Sequence, residues 1–121
     1  MWLCLSSAFL SIVHKPPCRP YELLVRARRP GDIESVFPEA KVTRRTDCDY
    51  LYRAIVSKGD VASVLARTVA GIDYPNFKNT VKDTGLHDAY FEVWASMARV
   101  QPLPPYSGLL PPDHRPRSLH R

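Results

Sequence analysis

The chain reads as an α+β protein in which two ββα units form a four-stranded antiparallel sheet with helices packed on one face. Three observations predict this. The frame G-D-apolar-x-S-V-apolar occurs twice, as GDIESVF from Gly31 and as GDVASVL from Gly59, 28 residues apart. Each copy follows an extended run rich in β-branched and alternating residues, so a strand pair and then a helix is specified twice. The last third changes from strand-like to helical periodicity, which adds helices rather than more strands.

The elements follow in order. Residues 9–15 are β-branched and mixed, as a strand requires, and Pro16, Pro17 and Pro20 then form a loop that cannot continue a ladder because proline has no amide donor. Residues 22–28 alternate, with Leu23, Val25 and Ala27 on one side and Leu24, Arg26 and Arg28 on the other. Pro30 and Gly31 end that strand. Asp32 is placed to cap a short helix whose Ile33, Val36 and Phe37 share a face.

The second unit repeats the plan with a strand over 41–45, a turn over 46–49 and a returning strand over 50–57. Two parities remain open for that last strand: Tyr50, Tyr52, Ala54 and Val56 face the core, or Leu51 and Ile55 do. Asp60 is expected to cap a longer helix with Val61, Val64, Leu65, Thr68, Val69 and Ile72 along one stripe. Pro75 suits the first turn of a short helix carrying Tyr74, Phe77 and Val81. Beyond Gly85, Leu86, Ala89, Tyr90, Val93, Trp94 and Met97 make the clearest helical stripe in the chain, which Pro102 stops.

With 121 residues, 45% of them hydrophobic, the chain can bury one modest core. The expected organisation is a single compact domain over 1–101 and a proline-rich, disordered tail over 102–121, which holds six of the twelve prolines. Three cysteines at no metal-ligand spacing imply free thiols in a reducing compartment, with no metal and no cofactor. The apolar start of the chain lacks a preceding positive charge and a small-residue cleavage site, and Ser6, Ser7 and Ser11 interrupt it. It is too short and polar to span a bilayer, so the expected location is cytoplasmic, with no membrane partner.

The strings FLSIVHK, LLVRARRPGDIESVFP, IDYPNFKNTVKD and LHDAYFEVW resemble a widespread family of small uncharacterised bacterial proteins. The resemblance covers roughly residues 1–101. It implies a compact cytoplasmic bacterial domain and carries no catalytic residue.

Charge is distributed unevenly. The net charge is +5, and residues 1–58 hold ten Lys/Arg against six Asp/Glu. The candidate contacts for nucleic acid or another anion are Arg26, Arg28, Arg29, Arg44, Arg45 and Arg53, with Tyr52 to stack a base and Lys78 at a helix start. The competing reading is a solvated sheet face whose arginines pair with Glu22, Asp47 and Asp49. His87 and Asp88 lack the further histidines of a metal-dependent phosphohydrolase, and no nucleophile elbow or phosphate-cradling glycine loop occurs, so no enzyme is expected.

The expected function is therefore a binding module that contacts nucleic acid through an arginine-rich sheet surface. The alternative is a protein-interaction or accessory subunit that meets a partner, such as an acidic protein surface or a second copy, through the sheet edge or the tail. A small hydrolase using His87, Asp88 and Lys78 ranks last.

Overall fold

A computed structural model describes residues 1–102. The remainder of the proline-rich segment, and with it the expectation of a disordered tail, lies outside the described residues. Two compact units are distinguished, Met1–Lys82 and one beginning at Asp83.

The first unit is built on an antiparallel sheet of five strands: β1 (Trp2–Cys4), β2 (Phe9–Val13), β3 (Glu22–Ala27), β4 (Thr43–Arg44) and β5 (Tyr52–Ser57). Its order is β1-β2-β3-β5-β4, so β3 and β5 are the central pair. The α+β antiparallel architecture is as the sequence indicates, but the sheet has one strand more than the four expected. Ser6 and Ser7 supply the difference. They form a bend closed by the Leu5 amide donating to the Ala8 carbonyl at 2.9 Å, which folds the N-terminal stretch into a hairpin of β1 and β2. β4 is only two residues long, shorter than the expected strand over 41–45.

Helix α1 (Asp32–Val36) follows β3, and α2 (Lys58–Ala70) follows β5 without an intervening loop. Both pack on one face of the sheet. Ile33, Phe37 and Val61 join Leu10, Ile12, Val25, Ala27, Ala54 and Val56 in a single buried cluster. Alternation explains which strand residues take part. Val25 lies opposite Ile12 and Ala54, and Ala27 lies opposite Leu10 and Tyr52, so one parity of each strand faces the helices. The open parity is thereby settled: Tyr52, Ala54 and Val56 point to the core side.

Neither expected aspartate cap forms. Gly31 takes the position before α1 with φ of 87°, a left-handed backbone that side chains disfavour. Asp32 then falls in the first turn and turns inward. At α2 the cap is Ser57, whose hydroxyl oxygen accepts from the Asp60 amide at 3.1 Å. Replacing Ser57 with alanine is expected to lower stability by about 1 kcal/mol, read as a shifted urea midpoint at constant slope.

The stripe on α2 is only partly covered. Val61 is buried and Val64 and Leu65 are half-buried, but Val69 and Ile72 are exposed, because periodicity marks an apolar face without extending the sheet beneath it. After α2, Asn76 caps a short 3₁₀ turn (Phe77–Thr80) by accepting from the Lys78 amide at 2.9 Å.

The second unit carries α3 (Thr84–Ala98), capped by Asp83, whose carboxylate accepts from the Leu86 amide at 2.9 Å. Leu86, Tyr90 and Ala95 are its buried residues. The rest of the expected stripe differs: Val93, Trp94 and Met97 are exposed, and Trp94 instead stacks on Phe91 at 5.9 Å between ring centroids.

Candidate functional site: an arginine row on the sheet

The sheet face opposite the helices carries one crosswise row through all five strands. Trp2 lies opposite Ser11, Ser11 opposite Arg26, Arg26 opposite Arg53, and Arg53 opposite Thr43. Two arginines are thus direct cross-strand neighbours, on strands about 4.8 Å apart.

Arg26 is half-buried. Its Nη2 donates to the Ser11 hydroxyl at 2.7 Å, and its guanidinium carbon lies 4.5 Å from the centre of the Tyr50 ring. Arg28, just past β3 and exposed, lies 4.2 Å from the same ring centre and donates through Nη1 to the Asp49 carbonyl at 3.0 Å. One aromatic ring therefore carries two cations, each contact contributing about 1 kcal/mol. Tyr50 precedes β5, and its own amide donates to the Asp49 carboxylate at 2.9 Å. That turn releases Tyr50 from the strand's alternation and brings its ring to the face opposite Tyr52. The ring is itself buried, so it supports guanidinium groups and is not open to a stacking base.

Arg53 completes the group. Its Nε and that of Arg26 are buried and have no hydrogen-bond acceptor among the described residues. Among the described residues, Arg26, Arg28 and Arg53 also form no ion pair with a carboxylate.

The other expected contacts separate from this group. Arg29 is a structural residue: it donates to both carboxylate oxygens of Asp32, at 3.0 and 3.3 Å, and to the Ser7 carbonyl at 3.4 Å. Arg45 grips Asp47 through two hydrogen bonds of 3.1 and 2.7 Å, and this partner holds the Asp47 carboxyl below the usual carboxylate range while raising Arg45. Arg44 is exposed but pairs with Tyr52, which puts it on the helix side of the sheet edge, away from Arg26 and Arg53. Tyr52 packs half-buried against the core and cannot serve as a base platform. Lys78 lies in the 3₁₀ turn and outside the row.

Sequence reasoning placed Arg26 and Arg28 on one face correctly, since they share strand parity. It did not identify Tyr50 as their common support. The signal was present in Asp47–Asp49, a turn long enough to end alternation before Tyr50.

Among the described residues no helix is long and apolar enough to cross a membrane, and no three His, Cys, Asp or Glu side chains are grouped to hold a metal ion. A scan against protein-family models, a search of curated proteins and a search of solved structures each return no match for this chain.

Proposed function

We propose that the chain is a small binding module that contacts the phosphate backbone of a nucleic acid through Arg26, Arg28 and Arg53. The observation that carries this reading is the unopposed cross-strand pair Arg26 and Arg53, with Arg28 beside it. Like charges directly opposite in a sheet cost stability, and here no carboxylate among the described residues offsets them. An external polyanion supplies the missing counter-charge. Because Tyr50 is covered and Tyr52 faces the core, contact is to phosphates rather than bases, and recognition is independent of sequence.

The test is fluorescence anisotropy of a labelled single-stranded oligonucleotide and of a duplex, each titrated with the full chain from about 50 to 200 mM salt. Affinity is expected to fall steeply with salt. Arg28→Glu should weaken binding and lower the magnitude of the salt slope by about one or more. Arg44→Glu makes the same charge change on the other side of the sheet edge and should have the smaller effect. Absence of binding at low salt, or equal effects of the two variants, rejects the proposal.

A second reading, interaction with a protein, is favoured by the open edge of β5. The Arg45 amide donates to the Leu51 carbonyl at 2.7 Å, so alternate β5 residues aim their backbone groups outward, and Ile55 does so after β4 has ended. Polyglutamate as competitor separates the two: weak displacement of the oligonucleotide fits phosphate recognition, whereas displacement at equal charge concentration fits an acidic protein surface.

A further inference from the structure

A cavity of about 500 Å³ lies away from the arginine row, between the β1–β2 turn, the two helices of the first unit and the segment after α2. Its volume is in the range of sites that take small organic ligands. Leu5, Val36 and Val64 give it apolar walls, and Tyr74 and Phe77 add an aromatic pair with ring centres 6.0 Å apart.

Its polar groups have a common character. Ser35, Thr68 and Thr80 line the cavity, and each hydroxyl already donates to a backbone carbonyl of its own helix or turn: Ser35 to Asp32 at 2.8 Å, Thr68 to Val64 at 2.8 Å and Thr80 to Phe77 at 2.6 Å. A hydroxyl has one hydrogen, so these three oxygens retain only lone pairs to offer. Asp73 adds a carboxylate whose side chain has no partner among the described residues. Ser6 and Ser7 line the cavity too, and their hydroxyls can either donate or accept. Cys4 also lines the wall; burial pushes its thiol up, so it stays neutral at pH 7. Among the described residues, no lysine, arginine or histidine lines the space. In a chain of net charge +5, the cavity is a local reversal of sign.

We propose that this cavity binds a small amphipathic cation, a protonated amine on an apolar or aromatic body. The ammonium group meets Asp73 and the hydroxyl oxygens, and the body lies against Val64, Tyr74 and Phe77, where the ring faces also favour positive charge. The inference is independent of the arginine row.

The probe is phenethylammonium, with phenylpropionate as a ligand of similar body and opposite charge. Each is titrated into isotopically labelled full chain and followed by amide chemical shifts. The amine should shift Thr68, Asp73 and Phe77 saturably, and the acid should not. Asp73 is exposed, so Asp73→Asn leaves the fold intact and should weaken the amine about tenfold. Thr68→Val removes one acceptor at nearly constant volume and should weaken it by a smaller factor. Equal shifts from amine and acid, no saturable shift at these amides, or unchanged affinity in Asp73→Asn would each overturn the proposal.

Discussion

Truncating Leu10 to alanine is expected to remove about 3 kcal/mol of stability. Leu10 is fully buried on β2 and sits in the row that runs from Leu3 through Ala27 to Tyr52. Its opposite neighbour on β3 is an alanine, so no larger side chain in that pairing can close the gap. The loss therefore combines the lost transfer of a buried isopropyl group with an unfilled void. Urea unfolding gives the value, and the denaturant slope should stay constant. A loss below about 1 kcal/mol would mean that α1 collapses onto the sheet and refills the space.

Asp32→Ala is the second large effect, with an expected loss of about 2 kcal/mol. The carboxylate is buried and accepts from three donors: the Phe9 amide at 3.2 Å, and Arg29 Nη2 and Nε at 3.0 and 3.3 Å. It therefore ties the start of β2 to the loop that enters α1. Alanine leaves the partly buried Phe9 amide without this acceptor and removes both hydrogen bonds from Arg29 to the carboxylate, which costs more than a helix cap alone. The Asp32→Asn variant keeps an oxygen for the Phe9 amide but loses the charge that holds Arg29, so its loss should be intermediate. If Asp32→Ala and Asp32→Asn unfold at the same urea concentration as the unchanged protein, this link contributes nothing to stability.

Asp32 also shows where sequence reading stops. Its position after Gly31 and before Ile33 suggests a local cap, and locality is all that a one-dimensional pattern supplies. Its main-chain partner is 23 residues upstream, brought close only when β2 and β3 pair. The strands Phe9–Val13, Glu22–Ala27 and Tyr52–Ser57 were legible because alternation and proline breaks are local properties of the chain. The start of α3 was legible to within about two residues for the same reason, whereas the cap of α2 is Ser57, three residues ahead of the expected Asp60. The three-residue strand Trp2–Cys4 was not, since it is too short to display a period and is defined by its pairing with Phe9–Ser11. Arg26 and Arg28 could be assigned to one face by parity, but Arg53 opposite Arg26 depends on the β3–β5 register. Arg29 and Arg45 were indistinguishable from them as letters, and only their carboxylate partners in space set them apart.

The ring of Tyr50 beneath Arg26 and Arg28 has a thermodynamic consequence for any ligand of that face. A free arginine side chain samples many rotamers, and immobilising it during association costs about 0.5–1.5 kcal/mol. Here two such chains are already confined when the protein folds, by an aromatic plate and by the Ser11 and Asp49 oxygens. An arriving anion meets preorganised donors, and the entropic penalty of docking is correspondingly reduced.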